Sequence, residues 1–193
     1  MAKAKSLIEL NPKAPAGKNA RCIAHVRLDE MYDWASTVDN PYEVRGLHNL
    51  RIAAKRLRYT LEIFEGVLPP TCQAIANELA QMQDELGALH DSDVMIALLR
   101  LCMGGEDVGI AFELALVHAE KQKSKGKLLL KPSLIATLLH PDVAPSAQQR
   151  YGLEHLLRRQ LDMREEQYQV FRQHWYQLQA RDFRREILDA LSE

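Results

Sequence analysis

The chain has 193 residues, 47% hydrophobic and 26% charged, with 25 Lys+Arg set against 26 Asp+Glu. This is the make-up of an ordinary globular protein with room for one sizeable core, and it excludes a polycation that holds its partners by net charge alone. No run approaches the ~18 apolar residues of a membrane span, and the opening MAKAKSLIELNPKAPAGK lacks the apolar stretch of a secretory leader.

In chain order, residues 1–18 are expected as a flexible arm and residues 19–193 as a single helical domain. Alternating strand patterns are nearly absent, whereas helical spacing is nearly continuous. A first helix is predicted over residues 19–38, stopped by Asp39-Asn40-Pro41. A second covers residues 42–67 and ends at Pro69-Pro70, which cannot continue a helix. Thr71 can cap a third, reaching to about residue 103 before Gly104-Gly105. A fourth is predicted over residues 107–125, with Gly126 placed as its C-cap. Residues 127–145 hold three prolines and read as connection, with a short helix near 133–139. A long helix over 146–178 and an amphipathic piece over 183–191 complete an all-α, antiparallel helical bundle of long helices. Cys22, Cys72 and Cys102 are isolated and odd in number, which points to reduced thiols and a cytoplasmic setting.

The neutral total hides a dipolar chain. Residues 45–58 contain five Arg/Lys, one His and no acid, whereas residues 59–107 contain nine Asp/Glu and Arg100 as their one cation. On the third helix, Ile75, Leu79, Met82, Leu86, Leu89, Asp93 and Ile96 follow each other at alternating steps of four and three, a core seam with one acid on it. An unpaired carboxylate there would be costly, so Asp93 needs a donor or cation. If the second helix folds back on the third around Pro69, His48 lies level with Asp91, Arg51 with Ala88 and Arg45 with Val94. Asp91 and Asp93 are thus expected as structural partners of the basic helix.

On a helical wheel, Leu47, Leu50, Ala53, Ala54, Leu57, Leu61 and Phe64 fall on one side of the second helix. His48, Arg51, Lys55 and Arg58 fall on the other, with Arg45 and Arg56 on its margin. The result is a ladder of cations about 15 Å long, which suits a linear polyanion better than a single phosphate. Arginines also permit bidentate contacts with phosphate oxygens. Ile52 and Tyr59 share the basic side, which therefore meets other protein or lines a groove. The competing reading is a solvated, salt-bridged face, and the lack of acids within residues 45–58 argues against it.

Two segments, VRGLHNLRIAAKRLRYTLEIF (residues 44–64) and LGALHDSDV (residues 86–94), closely resemble the CHAD domain, a helical domain named for its histidines. The pattern H-x-x-R-x-x-x-K-R-L-R-Y fits at His48, Arg51, Lys55, Arg56, Leu57, Arg58 and Tyr59, and L-G-x-x-x-D-x-x-V fits at Leu86, Gly87, Asp91 and Val94. VFRQHWYQLQ (residues 170–179) resembles the family's closing helix less specifically. Strong resemblance covers residues 39–99. It implies an all-α bundle with a basic channel or groove that binds inorganic polyphosphate. The expected contacts are His48, Arg51, Lys55, Arg56 and Arg58 of the motif, with Arg45 from the margin of the ladder. No nucleotide loop, carboxylate metal cluster or activated nucleophile is visible, so neither catalysis nor a cofactor is expected. The resemblance also allows association with polyphosphate granules.

There are two departures from the family pattern. Members usually carry two copies of the basic motif. The best second candidate here, EHLLRRQLDMREEQY, keeps His155, Arg158 and Arg159 but has Asp162, Met163 and Glu165 in place of Lys55, Arg56 and Arg58. The second half of the groove is therefore either degenerate or supplied by another subunit, and the latter is the expectation, as a homodimer. His90 also stands before Asp91 where one family repeat usually has Arg.

Three other functions compete with this reading. His90-Asp91 invites comparison with HD-type metal-dependent phosphohydrolases, but the cations around His48 are a poor setting for a divalent metal. A nucleic-acid-binding helical module would use the same ladder, and a helical scaffold would use none of it. His25, His118, His140, His155 and His174 show no ligand spacing and are expected on the surface or at helix caps. Lys121, Lys123, Lys125, Lys127 and Lys131 read chiefly as a solvated helix end, with a second phosphate contact as the alternative.

Overall fold

The computed structural model describes residues 4–7, 10–103 and 145–192, and every regular element among them is helical. These are α1 (Ala16–Tyr32), a 3-10 turn (Ala35–Asp39), α2 (Val44–Ile63), α3 (Thr71–Cys102), α4 (Ala147–Ala180) and α5 (Phe183–Ser192). The expected helices over 107–125 and 133–139, the lysines of residues 121–131, His118 and His140 lie outside the described residues.

The chain forms two compact units. One comprises Met1–Ala88 with Gln167–Glu193, the other Leu89–Glu166, so α3 and α4 each contribute to both. In the first unit, apolar residues at helical spacing supply the core. Ala20, Ala24, Leu28 and Met31 come from α1, and Leu47, Leu50, Ala53, Ala54, Leu57 and Leu61 from α2. Ile75, Leu79, Met82 and Leu86 come from α3, Tyr168, Phe171, Trp175 and Leu178 from α4, and Phe183, Ile187 and Leu191 from α5. Burial of each large side chain contributes about 1.5–3 kcal/mol, and the faces of α2 and α3 are the ones that the spacing predicted.

The differences from expectation lie at helix ends. Residues 19–38 do not form one helix: α1 starts at Ala16 and stops at Tyr32, and the Thr37 hydroxyl then donates to the Trp34 carbonyl (2.7 Å) within the 3-10 turn. That turn buries Val38, whose carbonyl accepts from the Tyr168 hydroxyl (2.8 Å), and it brings Asp39 to Arg172 and Tyr176 of α4. α2 starts two residues late because the Asn40 side chain accepts from the Tyr42 N–H (3.0 Å), a local bond that competes with helix. It ends at Ile63, before a turn containing Gly66. In the N-terminal segment, Lys5 pairs with Asp33, and its N–H donates to Glu30. At the α4–α5 corner Asp182 takes φ 55°, a left-handed conformation that aspartate tolerates, and α5 begins at once.

Gly46 is required by a close approach. A Cβ there would stand 2.5 Å from Thr37 Cγ2 and 2.7 Å from Thr37 Cβ, so only glycine lets the 3-10 turn lie against the first turn of α2. Alanine would otherwise favour this helix by roughly 1 kcal/mol. The clash outweighs that gain, and Gly46→Ala is expected to lower stability by about 1–3 kcal/mol, read as a fall in the urea midpoint. An unchanged or higher midpoint would refute the close approach.

In the second unit α3 and α4 run antiparallel. Gln160 donates to the Ser92 hydroxyl (2.8 Å), and Arg150 donates to the Met103 carbonyl (3.3 Å). Leu89, Val94, Ile96 and Leu99 are buried on the α3 side.

Candidate anion-binding face

All six basic residues singled out from the sequence sit on α2, in the first unit, and the opposite face of the helix supplies core. That core contact fixes the rotation of α2 about its axis and so aims the cations. Arg45 and Lys55 are exposed, and His48, Arg51, Arg56 and Arg58 are half-buried.

The six are not equivalent. The Arg56 guanidinium reaches back to Glu30 of α1, a carboxylate only 4% exposed, at 3.9 Å. Glu30 also accepts from Arg27 at 2.7 Å. Arg58 Nε lies 3.6 Å from Glu62, one turn further along α2. The acid-free run of residues 45–58 thus has acidic neighbours after all, drawn from α1 and from the next turn. For Arg45, Arg51 and Lys55, no acid is within ion-pairing distance among the described residues.

Arg51 is the most telling of these. Its guanidinium lies across Gly87 of α3, where an added Cβ would stand 3.5 Å from Nε and 3.7 Å from one terminal nitrogen. This is within one residue of the expected level of Arg51 with Ala88. Arg51 Nε is buried and has no hydrogen-bond acceptor among the described residues. A buried cationic donor without an acceptor costs free energy, and an anion there would remove that cost. Next along the ladder, the Lys55 ammonium lies 5.3 Å from the centroid of the Tyr59 ring, and the Arg58 guanidinium lies 4.9 Å from the same centroid.

Asp91 and Asp93 belong to the second unit. The cation expected beside Asp93 is present, but it is Arg164 of α4, at 2.5 Å. Burial pushes the Asp93 carboxyl above the ordinary aspartate range, and the hydrogen bond and charge of Arg164 offset this only in part. Arg164 could have been found in the sequence. Gln160, Arg164, Tyr168, Phe171, Trp175 and Leu178 step by four and three, so the arginine stands on the inward seam of α4, as Asp93 does on that of α3.

His174 also departs from expectation. It is neither at the surface nor at a cap: Nδ1 lies 2.8 Å from Glu85 and Nε2 lies 3.3 Å from Glu78, which joins α4 to α3 within the first unit. His25, His155, Arg158 and Arg159 are exposed. The three cysteines are free thiols, as expected. Among the described residues no cluster of His, Cys, Asp and Glu could hold a metal ion, and no helix is long and apolar enough to cross a membrane.

The family model of the CHAD domain matches residues 2–100, which include all of α1, α2 and nearly all of α3. The chain belongs to the CHAD domain family. No curated protein and no solved structure matches it. The CHAD match contains both the basic ladder and the α3 segment carrying Gly87, Asp91 and Asp93. It ends before α4, the helix that supplies Arg164 and His174.

Proposed function

We propose that this CHAD-family chain binds inorganic polyphosphate without turning it over, with Arg45, His48, Arg51, Lys55 and Arg58 of α2 as the gripping face. Arg56 is tied to Glu30 and stiffens that face from behind. The observation that carries the reading is Arg51: a half-buried guanidinium whose Nε lacks an acceptor among the described residues, in the middle of an acid-free cationic row. Such a row captures a linear polyanion by displacing its condensed counterions, as basic proteins do on nucleic acid. A base-free phosphate chain suits it, because the row offers cations and no ordered series of open aromatic faces.

The test is a titration of the full chain with polyphosphates of increasing length across a salt series. Affinity should rise with length until the ladder is covered, and log K should fall linearly with log salt, by somewhat under one unit per phosphate contact. RNA or DNA at equal phosphate concentration should compete poorly. Binding that ignores salt, or a preference for nucleic acid, would refute the reading. So would steady release of phosphate that a chelator abolishes, which would favour the metal-dependent hydrolase. A second copy of the chain is proposed to complete the groove, because the chain carries one intact basic motif. Light scattering should then give a dimer mass that polyphosphate reinforces.

A further inference from the structure

Tyr59 is an aromatic on the cationic side of α2, 41% exposed, at a position where neither the core nor a helix cap requires it. Two cations converge on its ring, Lys55 from one turn back and Arg58 from the adjacent residue. Both distances fall inside the ~6 Å range in which the electron-rich face of a ring attracts a cation. Two like charges drawn to one ring repel each other, and an anion placed between them would relieve that repulsion. Glu62 reaches Arg58, but Lys55 has no ion pair among the described residues.

We propose that Tyr59 is a positioning residue of the anion site: its ring holds the Lys55 ammonium and the Arg58 guanidinium as a pre-formed pair that takes neighbouring phosphoryl groups of one chain. The inference rests on the polyphosphate reading above. Lysine and arginine side chains lose much rotamer freedom when they are fixed on a ligand. Parking both heads on the ring before the ligand arrives removes part of that cost. The tyrosine therefore acts through two other residues and need not touch the phosphate itself.

The experiment compares Tyr59→Phe, which keeps the ring, with Tyr59→Leu, which keeps apolar bulk and loses the ring. In the ligand-free protein, the side-chain methylene protons of Lys55 and Arg58 should show upfield ring-current shifts by NMR. These shifts should persist in Tyr59→Phe and vanish in Tyr59→Leu. Polyphosphate affinity should fall roughly tenfold in Tyr59→Leu, as expected for losing two exposed contacts of this kind, and return in Tyr59→Phe. The melting temperature should be the same in all three proteins. Wild-type affinity in Tyr59→Leu would overturn the proposal, as would loss of affinity in both variants. Selective loss of poly(U) binding in Tyr59→Leu would also overturn it, since the ring would then be a platform for bases. If the wild type binds no polyphosphate while the ring-current shifts are present, the functional reading has failed and the pairing of the two cations has not.

Discussion

Replacing Arg51, Lys55 and Arg58 together with alanine is expected to weaken polyphosphate binding by about three orders of magnitude or more. The figure follows from about 1.5–3 kcal/mol for each charge-assisted contact. The salt dependence should flatten at the same time, by somewhat under one unit of slope per lost contact. The fold should survive. Alanine is the best helix former, and none of the three side chains belongs to the buried row of Leu47, Leu50, Ala53, Ala54, Leu57 and Leu61. Calorimetric titration beside circular dichroism separates the two effects. A folded triple variant with wild-type affinity and slope would reduce the ladder to a solvated face. Among single variants, Arg51→Ala should cost the most, because its guanidinium is held against Gly87 and its Nε is shielded from water.

Arg164→Met should cost about 3–5 kcal/mol of stability by leaving the Asp93 carboxylate buried without its cation. Leucine at position 93 in the same protein should recover most of that loss, since the two side chains are only 10% and 12% exposed and apolar replacements remove both desolvation penalties. Urea unfolding of the full chain measures the cycle. A loss under about 1 kcal/mol in the single variant would place the pair among weak surface bridges. The pair also sets a pH trend. Burial raises the Asp93 carboxyl in the folded state, so the folded protein holds that proton more tightly than the unfolded chain does. The stability contributed by protonation is present at low pH and is lost as pH rises through the raised value. Wild type should therefore gain on Asp93→Asn as the pH is lowered from 7 toward 4.

What the sequence revealed, and what it hid, follow from the range of the interactions involved. Periodicity located the buried rows of α2 and α3 and the existence of α4 and α5, because each is set by spacing within one segment. The basic row was also legible, and so to within one residue was the level of Arg51, expected at Ala88 and found at Gly87, since Pro69-Pro70 forces the chain back on itself. The break at Tyr32 was not legible, because no proline or glycine marks it. Thr37 and the distant Tyr168 and Arg172 hold the 3-10 turn instead. The partner of Arg56 was hidden for the same reason: Glu30 comes from a helix that no turn signal brings near. Arg164 stands on an inward seam that spacing alone exposes, and only its pairing with Asp93 needed the fold. His174 looked solitary for want of any ligand spacing, yet its two carboxylates lie one above the other on α3, seven residues apart.

The union of both chain ends in the first unit bears on how this protein can be cut. The segment that the family model recognises, residues 2–100, and the body that encloses the cation row are different objects. The row depends on a scaffold into which Phe171, Trp175, Leu178, Phe183 and Ile187 are set from the far end of the polypeptide. Arg21 fastens that end by donating to the Leu191 carbonyl (2.8 Å), a bond across 170 positions. A fragment trimmed to the family boundary would carry every residue proposed to grip phosphate and lack the wall that aims them. The family model matches one contiguous stretch, but the smallest piece that can be expected to stand on its own includes residues 167–193.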